Sequence, residues 1–295
     1  MSDFVRQEGT VSIFNSFNAW VILSSIEQSI KVKIESIGTP LKDWNVNIYR
    51  GVLTGYNEAF IITNEKRQEI LNNCESDAER SRTDELIRPI LRGRDIKRYY
   101  FEYADLFLIA TFPSKHYDIE EYPAIKNHFL SFGKERLEQS GKEFYVNGEK
   151  LKARKKTNNK WFETQDSISY WEDFNKPKIV WGNLNLSATY TLAPIGMMIN
   201  APATMIVPAS ETLLCILNSK LADYYIRNLG VTRNGGYFEY KPMFIEQLPI
   251  PQNIDENCFA KYKGKELEYE KDINYKVYSL YGLDDDEIAL IENNI

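Results

Sequence analysis

The chain is poor in the residues from which most reactive centres are built. Its 295 residues include two histidines, His116 and His128, and three cysteines, Cys74, Cys215 and Cys258. No Cys-x-x-Cys occurs, so the ligand spacing of a structural zinc site is missing. Three widely separated cysteines cannot set up a disulfide framework, and they suit a reducing cytoplasm. No apolar run approaches the roughly 18 residues of a membrane span, and the opening MSDFVRQEGT is charged where a signal peptide would be apolar. No membrane partner is expected. There is no Pro-Pro pair and no glycine-rich turn after a strand. An adenine methyltransferase needs a loop such as Asn-Pro-Pro-Tyr to hold the amino group of an extruded base, and a glycine-rich turn for the methyl donor. Nuclease chemistry needs clustered carboxylates, usually with a lysine. Asp84, Asp95 and Lys97 only faintly imitate that set. The residues therefore predict a chain with no catalytic residues, metal or cofactor of its own. A metal-dependent nuclease built on those three residues is the enzymatic alternative.

Aromatic residues, by contrast, are plentiful. They make up 13% of the chain, with 19 Tyr, a composition suited to surfaces that stack on or hydrogen-bond to a partner. The net charge of −6 speaks against nucleic acid only if it is evenly spread. Residues 251–295 hold 5 Lys and 11 Asp or Glu, and the other 250 residues hold 31 groups of each sign. Within that neutral body, residues 150–160 (KLKARKKTNNK) carry six basic side chains and no acid. Local fields govern DNA binding more than the total does.

Apolar spacing predicts a helix over 15–37, ended by Gly38-Thr39-Pro40, and another over 213–229 stopped by Gly230, which can take a left-handed cap. Strands are expected over 46–53, 59–62, 106–111, 178–181, 190–192, 196–199 and 204–207, and helices over 65–72, from 122 toward 137, and near 170–174. The polar stretch 73–83 reads as a loop. Pro249 and Pro251 read as the end of regular structure. Beyond them, 257–280 is helix-compatible, and Asp284-Asp285-Asp286-Glu287 starts a short last helix. These terminal helices either dock on another protein or only close the core. The expected segments are a helical 1–39, a body over 40–251 and a helical 252–295.

Four places could touch DNA. Thr54-Gly55-Tyr56-Asn57 is a polar glycine turn, either a ligand loop or an ordinary hairpin. Arg92, Arg94 and Lys97 crowd beside Asp95, as phosphate contacts or as a structural ion pair. Lys152, Arg154, Lys155 and Lys156 lead into Trp161; this is either a solvated loop or cations for phosphates with an aromatic for bases. Arg233-Asn234-Gly235-Gly236-Tyr237 joins side chains suited to guanine and adenine edges with glycines that allow close approach.

The stretch 217–251 carries a resemblance. It contains LNSKL, then Arg-x-Gly-Gly-Tyr at 233–237, then IEQLPIP at 245–251. Further segments agree in order: KIESIGTPLKDW at 33–44, IYRGVLTGYNEAFII at 48–62, IRPILRGRDIKRY at 87–99, KPKIVW at 176–181 and YSLYGLDDDE at 278–287. The chain resembles the C-terminal, TaqI-like target recognition domain of type IIG restriction-modification enzymes over roughly residues 15–290. One departure is that Gly182-Asn183-Leu184 follows KPKIVW, where the family often has a proline-containing segment. The resemblance implies an α+β fold, with mixed and antiparallel sheets, packed helices and flanking helices. It implies double-stranded DNA as partner, together with methyltransferase and endonuclease domains or a separate subunit. For the complete enzyme it implies N6-adenine methylation with S-adenosylmethionine and cleavage with Mg²⁺. A type I-like specificity subunit, or a scaffold that binds its methyltransferase, is the non-enzymatic alternative.

Overall fold

Antiparallel pairing builds the centre of the fold. Strand Lys178–Trp181 lies between Tyr190–Ala193 and Thr204–Val207, and Asn47–Arg50 closes the far edge, all antiparallel. The two central strands are buried at every position, so after Lys178 and Thr204 they read as apolar runs, Ile179 to Trp181 and Met205 to Val207, rather than alternations. A second four-stranded sheet runs in the order Met198–Ile199, Ile87–Leu91, Leu106–Ile109, Ile61–Thr63; only its first pair is parallel. The computed structural model describes residues 23–230, 233–252, 254–255 and 257–295. With its helices and its mixed and antiparallel sheets, the fold is α+β.

The chain forms two compact units. One comprises residues 46–183 and 189–210; the other comprises the described residues up to 45, with 184–188 and 211–295. This division differs from the boundaries at 39/40 and 251/252, because residues 211–251 group with the terminal helices. Two prolines explain part of the difference. Pro249–Pro251 does not end regular structure; it pairs antiparallel with Gly38–Pro40. A two-stranded ribbon has open edges, where a missing proline N–H costs nothing. The close approach also needs Gly38, whose added Cβ would meet the Pro249 carbonyl carbon at 2.5 Å.

In this second unit, the part of the 15–37 helix before residue 23 lies outside the described residues. The remainder, Ser25–Ile37, starts on a reciprocal cap between Ser24 and Glu27. The last helix, Asp285–Asn294, starts on the same device between Asp284 and Glu287. Lys33 reaches Glu287 at 2.6 Å, and the Tyr281 hydroxyl donates to the Pro249 carbonyl at 2.6 Å. Of the two roles open to the terminal helices, the described contacts therefore show closure of the core, with Ile30, Ile34, Val277, Tyr278 and Ile291 buried. The helix expected over 213–229 is two helices, Glu211–Asn218 and Lys220–Leu229. Ser219 breaks it: its hydroxyl donates to the Ile216 carbonyl and accepts from the Ala222 amide. Gly230 does end the second helix, but in an extended rather than a left-handed conformation, with φ −89°.

In the first unit, residues 73–83 are not a loop. Asp77–Leu86 is a helix capped by Ser76. Its inward face is Glu79, Thr83 and Leu86, and buried Glu79 accepts the amides of Glu75 and Ala124 at 2.8 and 2.9 Å. A buried face with a carboxylate satisfied by backbone amides and a threonine beside it leaves no apolar period to read. The helix expected from 122 toward 137 is interrupted after Leu130, and Gly133 at φ +83° restarts it as Lys134–Leu137.

Lys178 is fully buried, its ammonium donating to the carbonyls of Phe174 and Pro194 at 2.8 Å each. Burial, helped by Arg88, pulls it down from 10.5 to about 8. The unfolded chain holds this proton more tightly than the folded one. The buried charge therefore costs stability below pH 8, and the cost is relieved as pH rises from 8 toward 10.5. Stability relative to a Lys178→Met variant should climb by about 3 kcal/mol over that window. Urea denaturation of both proteins at several pH values checks this; a difference that stays flat would contradict it.

Candidate nucleic-acid interface

Two of the four expected contact segments meet in one cleft of about 470 Å³ in the first unit. It is lined by Gly55, Tyr56, Arg136, Lys152, Lys155, Lys156 and Gln165, among others, with no carboxylate in the lining. Arg136 lies over the Tyr56 ring, 4.8 Å from its centroid, and donates to the Lys152 carbonyl. Tyr56 is thereby held between a guanidinium and the edge of Phe132. The 54–57 turn is rigid: the Thr54 hydroxyl donates to Asn57 Oδ1 at 2.7 Å and accepts the Tyr56 amide. Gly55 takes φ +77°, which side chains disfavour, and an added Cβ would have to displace the Gln165 side chain. Thr54 is fully buried, so its part is to shape the turn, while Asn57 is exposed.

The basic run is not uniform. Lys152, Lys155 and Lys156 are exposed, but Arg154 is 4% exposed. Its guanidinium donates to the carbonyls of Leu137, Thr54, Glu163 and Trp161 at 2.7–2.8 Å. As a surface phosphate contact Arg154 is therefore corrected: it is an internal tie between the floor of the cleft and the 54–57 turn. Burial lowers it to about 10, against the pull of Glu138 and Glu163, so it remains charged at neutral pH. Trp161 is half-buried against Phe129 and Phe162 and does not line the cleft. Nothing in the sequence singles out Arg136 or Gln165. Arg136 sits in an ordinary charged helical turn, and only the fold brings it across to Tyr56.

Arg92, Arg94 and Lys97, in the same unit, do not line this cleft. Arg92 grips Asp95 through two bonds of 2.8 and 2.7 Å, and its amide adds a third. Burial would raise the Asp95 carboxyl, but the Arg92 guanidinium and amide hold it below the usual range. For Arg92 the structural ion pair is thus what is seen. Arg94 is exposed, and Lys97 donates to the Arg94 carbonyl. Asp84 pairs with Arg67 at 2.5 Å, so both carboxylates of the nuclease alternative are committed to arginines.

In the second unit, Gly235 and Gly236 take left-handed φ values of 80° and 79°, which side chains disfavour. The Arg233 amide donates to the Tyr237 carbonyl at 2.7 Å and closes this loop. Glu239 holds the Arg233 guanidinium on one side and Lys241 on the other; these two cations, Lys241 first, keep its carboxyl below the usual range. Tyr237 is exposed, while the side chain of Asn234 lies outside what the structure describes.

No curated protein matches the chain. Among solved structures, the type IIL restriction-modification enzyme MmeI, in complex with DNA, is similar with a TM-score of 0.56 at 13% identity, over 86% of this chain and 35% of that one. The type IIG restriction endonuclease BpuSI gives a TM-score of 0.44 at 12% identity, over 87% and 32%. The chain thus spans about a third of the length of these enzymes. Residues 88–250, more than half of the chain, match the family described as the TaqI-like C-terminal specificity domain. The LNSKL break, the Gly-Gly loop and Pro249 fall within that match, and the chain belongs to this family of specificity domains.

Proposed function

We propose that this chain is the part of a restriction-modification enzyme that chooses its DNA sequence, binding duplex DNA and leaving catalysis to other domains or a partner subunit. The observation that carries this is the cleft in which Tyr56, Arg136, Lys152, Lys155 and Lys156 converge without a carboxylate. Long exposed cations hold phosphates whatever the sequence, and affinity then falls steeply with salt. Arg233 is the candidate for base choice, since a guanidinium can bond two acceptors of guanine. N6-adenine methylation with S-adenosylmethionine, and cleavage with Mg²⁺, belong in this reading to the rest of a cytoplasmic enzyme. Asp84 and Asp95 do not fit a metal-binding role while each holds an arginine.

The test is fluorescence anisotropy with labelled random and selected duplexes at several salt concentrations. Changing Lys152, Lys155 and Lys156 together to Ala should weaken binding to every duplex about equally. It should also flatten the salt dependence by about 0.9 for each phosphate no longer neutralised. Arg233→Ala should instead reduce the preference for the selected duplex. If the lysine variant changes the preference and Arg233→Ala does not, the roles are reversed. If the chain binds no duplex even at low salt, the reading fails.

A further inference from the structure

The cleft has an extension that the functional reading leaves unused. Glu143–Val146 and Glu149–Lys152 form a two-stranded ribbon, joined by Asn147 and Gly148 at φ 50° and 85°. Two left-handed residues make the tight turn that matches the twist of paired strands. Residues directly opposite in such a pair share a face. The register sets Tyr145 against Lys150 and Glu143 against Lys152, so Tyr145 stands on the same face as Lys152, which lines the cleft. Tyr145 is 71% exposed and Val146 46%. A single exposed aromatic needs no explanation by itself. This one stands near the tip of a projecting ribbon whose other end is firmly anchored. There, Arg136 holds the Lys152 carbonyl, and two residues on, Arg154 bonds the carbonyls of Leu137, Thr54, Trp161 and Glu163.

We infer that this hairpin enters the major groove of duplex DNA, with Tyr145 against the bases and Lys152, Lys155 and Lys156 on the flanking phosphates; the inference rests on the DNA-binding reading above. Dimensions favour the major groove. Paired strands are about 4.8 Å apart, and with side chains the ribbon fills a groove of about 12 Å but not one of about 6 Å. An anchored base suits such an element, since little ordering remains to be done on binding.

The experiment uses the full chain and a duplex recovered by selection from a random pool. Tyr145→Ala should weaken binding at least roughly fivefold, the low end for removing one aromatic ring from a base. Tyr145→Phe should stay close to wild type. Guanine N7, on the major-groove edge, should be protected from methylation at the hairpin's position, and Tyr145→Ala should reduce that protection. Binding by Tyr145→Ala within twofold of wild type, or protection confined to adenine N3 in the minor groove, overturns the inference. If the triple lysine variant loses DNA while Tyr145→Ala does not, the hairpin assignment falls and the functional reading stands. If the wild-type chain binds no duplex, both fall. Circular dichroism of the variants checks that the exposed substitution has left the fold intact.

Discussion

Replacing Arg154 with alanine is expected to destabilise the first unit by about 3–5 kcal/mol, the range for breaking a buried charged network. Four carbonyls from three segments, at Thr54, Leu137 and Trp161 with Glu163, lose their shared donor at once. Bonds to a charged group contribute about 1.5–3 kcal/mol each. Their sum is offset by the desolvation cost of the buried guanidinium, several kcal/mol in itself. Arg154→Lys should recover only part of the loss, because an ammonium has three donors and no planar fork. Lys155→Ala, one residue on and exposed, should stay within about 0.5 kcal/mol of wild type. Urea denaturation ranks the three. A loss below about 1 kcal/mol for Arg154→Ala would mean that water replaces the guanidinium at those carbonyls. Folded Arg154→Ala protein should also bind DNA poorly although the arginine itself is buried, since it ties the base of the hairpin to the 54–57 turn.

Asp223→Ala should be the most damaging single change in the second unit, again by about 3–5 kcal/mol. Asp223 is 1% exposed and accepts from Arg227 Nε and Nη2 at 2.9 and 3.0 Å and from the Tyr240 hydroxyl at 2.5 Å. Removing it leaves a largely buried guanidinium without its counter-charge. Arg227 also donates to the Leu186 carbonyl and lies over the Phe238 ring. Phe238–Glu239 is the strand that carries the partner of Arg233. A loosened strand should therefore blur sequence preference in any fraction that folds. Paired measurements of stability and duplex preference check this; a stable variant with normal preference would show the network to be dispensable. A double variant, Asp223→Leu with Arg227→Met, should be less harmful than Asp223→Ala alone, because no unpaired charge is left behind.

How much of this was legible in the sequence depended on whether apolar spacing or partner identity set the structure. Lys178–Trp181, Leu106–Ile109 and the helical character of 211–229, though not its break at Ser219, declared themselves, because buried apolar side chains leave runs or a period. The Asp284 cap declared itself by local chemistry. Asp77–Leu86 did not, because its buried face includes Glu79 and Thr83, and the backbone amides that satisfy Glu79 are invisible in a one-dimensional reading. Pro249–Pro251 did not, because a proline strand is acceptable only where no ladder bond is needed, and that depends on its pairing. Arg154 was indistinguishable from its lysine neighbours until four carbonyls were placed around it. Much of the resemblance is carried by architectural residues: Thr54 in TGYNEAF, Asp95 in LRGRD, Lys178 in KPKIVW and Ser219 in LNSKL. Of the residues proposed to meet DNA, Lys152, Lys155, Lys156 and Tyr145 lie outside the resembling segments, while Tyr56 and Arg233 lie within them.

The pairing of the first described helix with the last has a consequence during synthesis. Lys33 waits for Glu287, 254 residues later, and Gly38–Pro40 waits for Pro249–Pro251. At ribosomal rates of about 5–20 residues per second, that wait is on the order of 10–50 s. Throughout it, the apolar side of Ser25–Ile37, with Ile30 and Ile34, has no final partner, while residues 46–210 already hold nearly everything their own core requires. The nascent chain therefore carries a finished unit beside an unfinished one, and chaperone binding during translation should concentrate on Ser25–Ile37.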